Sequence, residues 1–165
     1  MADNVQYYVE GEDEKRFLEV LKTSLQVIVP GKIQVFNVAN KQITKTRLLT
    51  LKKDTVVVLV FDTDTVNLEI IRSNIELIKS MPNVKEVLTI LQVKNLEDEL
   101  VRACKIKRVE ELLGVKTLAE FKARFLKISN LDQVLIRNMF DIEKVWIKLD
   151  SSLTGFKNDG ERLKK

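Results

Sequence analysis

The run Thr55-Val56-Val57-Val58-Leu59-Val60-Phe61 constrains this chain more than any other stretch. It is apolar and does not alternate, as a strand does when helices cover both of its faces. β-Branched residues dominate it, which suits a pleated backbone better than a short helix. A strand buried on both sides belongs inside a parallel sheet, and parallel neighbours need crossover connections. Val5–Val9 and Ile33–Val38 read as two further strands, and Val84–Val93 contains a fourth over Val87–Leu91. Glu12–Leu25, Gln42–Leu51 and Val66–Ser80 read as the helices between them, the last with Leu68, Ile71, Ile75 and Ile78 at helical spacing. The fold class is α/β: a Rossmann-like, mostly parallel four-stranded sheet flanked by helices, with right-handed crossovers.

After Leu96 the pattern turns helical, over Glu97–Ala103, Val109–Leu113, Leu118–Ile128, Leu131–Phe140 and Ile142–Leu149. Gly114 and Ser129-Asn130 are natural breaks. No Gly- or Pro-rich linker divides the chain of 165 residues, which has only 5 Gly and 2 Pro. Residues 1–103 are therefore expected to form an α/β core and residues 104–165 a helical extension packed on the same domain. Met1-Ala2-Asp3-Asn4 offers no cationic start to a secretory signal, and Val56–Phe61 is too short to cross a bilayer. A cytoplasmic protein without membrane contact is the expectation.

Missing residue types prune the chemistry. There is no histidine, so Ser-His-Asp triads, histidine-dependent phosphohydrolase sites and histidine-ligated zinc are excluded. The single cysteine, Cys104, forms no intrachain disulfide and reads as a small core residue. Neither a P-loop nor a dinucleotide-binding glycine pattern occurs, and Pro30-Gly31-Lys32 reads as a turn. Carboxylates, lysines, hydroxyls and bound ions are what is left.

Two acidic clusters stand where strands stop: Glu10-Gly11-Glu12-Asp13-Glu14 after the first, and Asp62-Thr63-Asp64 after the third. Parallel strands end at a common edge, so Glu10, Asp62 and Asp64 are brought towards one rim. Gathered carboxylates repel unless a cation lies between them, and a hard divalent ion prefers oxygen donors. Gly11 leaves room for a phosphate or ion to approach the backbone. A bound ion would polarise a phosphoryl oxygen or acidify a water, with Glu10 as ligand or as general acid–base. Net charge is +4, and Gly31–Lys53 contains no acidic residue while carrying Lys32, Lys41, Lys45, Arg47, Lys52 and Lys53. Lys105-Ile106-Lys107-Arg108 and the trio Lys122, Arg124 and Lys127 add further basic runs. Such surface attracts polyanions by counterion release.

Val9-Glu10-Gly11 and Phe61-Asp62-Thr63-Asp64, in that order and at strand ends, resemble the two signature motifs of the Toprim domain, over about Val5–Ala103. That domain occurs in topoisomerases, primases, OLD-family nucleases, a ribosomal RNA maturase and recombination mediators. The resemblance is closest to the stand-alone, OLD-like nuclease type. It implies a Mg²⁺- or Mn²⁺-dependent nuclease acting on DNA or RNA, in phage defence or nucleic-acid processing. It further implies Glu14 as a ligand one turn beyond Glu10, Glu97 as part of a second metal site, and a charge-supporting lysine. Lys148 is the candidate for that lysine, with Lys144 behind it. Lys41, Lys45, Arg47, Lys52 and Lys53 are the expected nucleic-acid contacts. A topoisomerase is disfavoured because Tyr7 and Tyr8 lie inside a strand, and a primase because no zinc module is present. The alternative is a non-catalytic Toprim module that scaffolds a nucleic-acid-processing complex; a partner ATPase and the oligomeric state are left open.

Plainer roles compete at each position. Asp62 or Asp64 could cap the next helix. Glu12, Asp13 and Glu14 could simply complement a helix dipole, and Glu97-Asp98-Glu99 could be a solvated helix start. Trp146 and Phe156 read as core residues before base-stacking platforms.

Overall fold

A computed structural model describes residues 4–165. Four parallel strands form one sheet: β1 (Val5–Val9), β2 (Lys32–Val35), β3 (Thr55–Asp62) and β4 (Val84–Gln92), in the order β2-β1-β3-β4. β1 pairs with β3 through Val5–Val56 to Tyr8–Leu59, and β3 pairs with β4 up to Asp62–Gln92. The chain leaves β1 towards β2 on one side and β3 towards β4 on the other. The carboxyl ends of β1 and β3 therefore flank the switch point at which open α/β sheets bind ligands.

Helices cover both faces, as the unbroken apolar character of β3 requires. On one face, Val56, Val58 and Val60 pack against Phe17 and Leu18 of α1 (Glu12–Glu19) and Leu96 and Leu100 of α4 (Leu96–Ala103). The same core takes in α5 (Glu110–Leu113), Phe121 and Phe125 of α6 (Leu118–Lys127), Leu131 and Leu135 of α7 (Leu131–Arg137), and Trp146. On the other face, Val57, Leu59 and Phe61 meet Leu48 of α2 (Lys45–Leu49) and Ile71 and Ile78 of α3 (Leu68–Lys79). The extension thus thickens one helical layer and shares its core, while its Leu153 and Phe156 join the core on the other face. Cys104 is buried there, at the end of α4. None of the described helices is long and apolar enough to cross a membrane.

Three departures from the sequence reading have physical causes. The first helix changes pitch: Val20–Ser24 is a π-helical turn in which Leu25 N–H donates to the Val20 carbonyl and Thr23 Oγ1 to that of Glu19. α2 is shorter than Gln42–Leu51, because residues 37–43 form a turn pinned by buried Asn74. Its Oδ1 accepts from Ile43 N–H, and its Nδ2 donates to the carbonyls of Val38 and Lys41. The expected helix over Ile142–Leu149 is absent beyond a single 3₁₀ turn, Ile142–Lys144. Trp146 is 1% exposed and adopts a left-handed φ of 58°, its N–H donating to Glu99 Oε2 at 3.0 Å instead of to a preceding carbonyl. Burying one large ring and feeding one buried carboxylate outweigh helical periodicity there.

The last residues run beside the outer edge of β4. Asp159 N–H donates to the Thr89 carbonyl, Asp159 Oδ2 accepts from Thr89 N–H, and Asn158 Nδ2 donates to the Leu91 carbonyl. An edge strand that would otherwise present unpaired groups is thereby covered. Gly160 has no room for a side chain, since a Cβ would lie 2.5 Å from Trp146 Cβ.

Candidate functional site

Glu10 follows β1 directly, and its Oε1 accepts a hydrogen bond from Asp62 N–H at 3.3 Å, joining the two central strand ends. Gly11 then takes an extended conformation and begins α1, with its carbonyl accepting from Lys15 N–H. α1 begins at the carboxyl end of β1 and runs back across one face of the sheet, so Asp13 and Glu14 in its first turn stay near the same rim. Glu14 is only 8% exposed. A Cβ on Gly11 would stand 3.1 Å from Glu14 Oε2, so glycine leaves that carboxylate its room. Beyond β3, Thr63 N–H donates to the Gln92 carbonyl and Asp64 N–H to that of Lys94, stitching the loop to the end of β4. Asp64 Oδ2 accepts from Asn95 Nδ2 at 3.3 Å.

The electrostatics show that these carboxylates share one neighbourhood. Burial, reinforced by the charges of Glu14, Glu10, Asp64 and Glu97, pushes the Asp62 carboxyl up to about 9. Burial also raises Glu10, to about 7, against the stabilising hydrogen bond from Asp62 N–H and with Glu14 and Asp64 adding to the rise. Glu14 and Asp13 are raised too, first by burial. Asp62 Oδ1 is inaccessible to solvent and has no hydrogen-bond partner. Beside it in register and on the same sheet face, Gln92 is fully buried, with both amide atoms unpartnered. Among the described residues, none of Glu10, Glu14, Asp62 and Asp64 pairs with a lysine or arginine. Neither Asp62 nor Asp64 caps a helix. Asn67 caps α3, its Oδ1 accepting from the N–H groups of Glu69 and Ile70.

Glu97 stands differently. Its Oε1 is 3.1 Å from Lys122 Nζ, an ammonium brought in by α6. That charge also acts on Asp13 and Glu14, and together these carboxylates raise the lysine above its usual value against the opposing effect of its own burial. The sequence places Lys122 in a basic run. Nothing in the spacing of α6 shows that its first turn faces α1 and α4, so this contact is visible only in the fold. Gln92 and Asn95 were equally hidden, although an Asn before Leu-Glu-Asp-Glu is a helix-start signal, and Asn95 does cap α4 through Asp98 N–H.

The basic candidates do not form one patch. Arg47 stacks on Phe36, 4.6 Å from the ring centroid, and Phe36 N–H donates to the Val9 carbonyl, so this pair borders the rim beside β1. Lys41 is on the pinned turn whose Ala39 carbonyl accepts from Asn67 N–H, on the same side. Lys45 is exposed at the start of α2. Lys52 and Lys53 sit at the amino end of the sheet, where the Lys53 carbonyl accepts from Asn4 Nδ2 just before β3 begins. They are separated from the carboxylates by the length of β3. Lys148 is exposed on the extended segment, its carbonyl sharing Asn158 Nδ2 with that of Leu91. Hydrogen bonds from Ser152 hold the nearby Asp150 carboxyl below its usual range, with a smaller effect from Thr63. Lys144 is instead paired with Asp141 at 3.6 Å.

The donors at the rim are carboxylate oxygens, the atom type that Mg²⁺ and Mn²⁺ prefer. Among the described residues, however, no three or more such side chains stand together closely enough to hold a metal ion. A cleft of about 450 Å³ between α3 and the C-terminal segment lies elsewhere and contains none of the candidate carboxylates. No family model, curated protein or solved structure matches the chain.

Proposed function

We propose that this protein is a divalent-metal-dependent nuclease of the Toprim kind, hydrolysing phosphodiester bonds in DNA or RNA at the rim formed by Glu10, Glu14, Asp62 and Asp64. One observation carries the reading. Glu10, Glu14, Asp62 and Asp64 lie near enough at the switch point of a parallel sheet for their charges to act on one another, none of them is in an ion pair among the described residues, and one hidden Asp62 oxygen has no partner. Burying a carboxylate oxygen unpaired is costly, and a bound cation would offset that cost. Glu10, Glu14, Asp62 and Asp64 are the residues that would hold Mg²⁺ or Mn²⁺, which would supply a polarised phosphoryl oxygen and an acidified water. Glu10, raised to about 7, is suited to accept and return a proton near neutral pH. Arg47 and Lys41 border the rim and would hold the phosphate backbone, while Lys148, exposed on the C-terminal segment, would support the developing charge. Lys52 and Lys53 are too far along the sheet to share in this.

The test is direct. Supercoiled plasmid, single-stranded DNA and RNA are each incubated with the protein in Mg²⁺, Mn²⁺ or EDTA. Cleavage that needs metal and disappears in Asp62→Asn supports the reading. Nucleic-acid binding without cleavage of any substrate under any metal would replace it with a scaffolding module.

A further inference from the structure

We infer that a cavity in the helical extension, separate from the acidic rim, is a binding site for a phosphate monoester. It opens between α5, α6 and α7 and has a volume of about 360 Å³. Its lining combines Leu112 and Leu113 with Arg124, Arg137, Asn130 and Asn138. Among the described residues, no carboxylate lines it. A cavity of this size is in the range of those that take small ligands.

The other arginines of the chain are engaged. Arg102, Arg108 and Arg162 pair with Glu99, Glu110 and Glu86. Arg47 and Arg72 lie over the rings of Phe36 and Phe156, and Arg16 donates to the Ile128 carbonyl. Arg124 and Arg137 are the two that remain. Among the described residues neither has a carboxylate, a carbonyl or a ring as partner, and both line this one cavity. The sequence groups Arg124 with Lys122, yet the fold sends Lys122 to Glu97 and Arg124 to the cavity. Two guanidinium groups at one cavity repel each other, and an anion between them removes that cost. Their planar forks match phosphate oxygens, and a phosphate monoester carries about −1.5 to −2 charges near neutral pH, enough for both. The asparagines complete the donor set. Asn130 precedes α7 without capping it, so its amide is free to donate to a further oxygen. Asn138 Nδ2 donates to the Val134 carbonyl at 2.8 Å, which holds that side chain against the wall. Arg124 and Arg137 are exposed, so removing either guanidinium leaves the core packing intact.

The experiment is isothermal titration calorimetry on the full chain in EDTA. The probes are ribose 5-phosphate, ribose, and a single-stranded oligonucleotide with either a 5′-phosphate or a 5′-hydroxyl. Wild type is compared with Arg124→Gln, Arg137→Gln and, as a control at the other cleft, Arg72→Gln, with circular dichroism confirming that each is folded. The expected result is saturable binding of a phosphorylated probe and none of ribose. Affinity should fall about tenfold or more in Arg124→Gln and in Arg137→Gln, the loss of a charge-assisted hydrogen bond, and stay unchanged in Arg72→Gln. A 5′-phosphate that tightens strand binding, with the gain lost in both cavity variants, assigns the site to a strand end. Strands that bind alike, with ribose 5-phosphate bound, assign it to a free phosphorylated small molecule. No binding of ribose 5-phosphate together with no difference between the strands, or binding unchanged in both cavity variants, would overturn the inference. Neither result bears on metal-dependent cleavage at the rim, so the two readings fail separately.

Discussion

Asp62 is the residue on which opposing demands meet. Its backbone N–H is used to hold Glu10, while its own carboxyl is buried among four other acids with one oxygen unbonded. Asp62→Asn keeps the shape and removes the ionisable group. At pH 8, without metal, it should raise Tm by a few degrees, equivalent to about 1 kcal/mol for a chain of this size. It should also weaken Mn²⁺ binding at least about tenfold, the loss that even an outer-sphere partner commonly causes. Calorimetric melting and Mn²⁺ titration of the same samples check both. A fall in Tm together with unchanged Mn²⁺ affinity would make Asp62 a structural residue.

Among the elements, the segment that departs most from the sequence reading is also the most strongly tied. Glu99, 1% exposed, accepts from Val93 N–H and Trp146 N–H and pairs with Arg102 at 2.6 Å, so one carboxylate joins the end of β4, α4 and the C-terminal segment. Glu99→Ala strands Arg102 and two backbone donors, and should cost about 3–5 kcal/mol in urea unfolding. A cost under about 1 kcal/mol would mean that the segment is held mainly by the Trp146 ring. This hub explains where sequence reasoning stops. Periodicity identified the strands, α1, α3, α4 and α6, because burial of one face dictates residue spacing. The junction of β1 and β3 with Glu10 and Asp62 followed from the rule that parallel strands end together. What spacing could not express is which helix lies against which. Lys122 facing Glu97, Asn74 pinning residues 37–43, and Trp146 leaving the helical path for Glu99 are all contacts between segments distant in sequence. The division of the basic run has the same origin. Residues 41 to 53 look contiguous, yet α2 carries them from one end of the sheet to the other.

Across the protein as a whole, the raised carboxyls make stability depend on pH in an unusual direction. Asp62 and Glu10 bind protons more tightly when folded than when unfolded, where carboxyls titrate at about 4. Their favourable contribution is therefore complete below about pH 4 and is lost as pH rises through about 7 and then about 9. Metal-free protein should melt at a higher temperature at pH 5.5 than at pH 8.5, and saturating Mg²⁺ should raise Tm more at pH 8.5. Equal melting temperatures in the two buffers, unmoved by Mg²⁺, would contradict the buried cluster. Long-range charge gives a second test: neutralising Lys41 and Arg47 should reduce the slope of log affinity against log salt by about 1–2, whereas neutralising Lys52 and Lys53 should leave it unchanged.

Trp146 is the single tryptophan in the chain, and it is packed beside Gly160 with its backbone held by Glu99, close behind the acidic rim. The protein therefore carries its own optical probe in that segment. Its emission should be blue when the C-terminal segment is seated and shift to the red if that segment lifts, so seating of the segment can be followed by intrinsic fluorescence without any label.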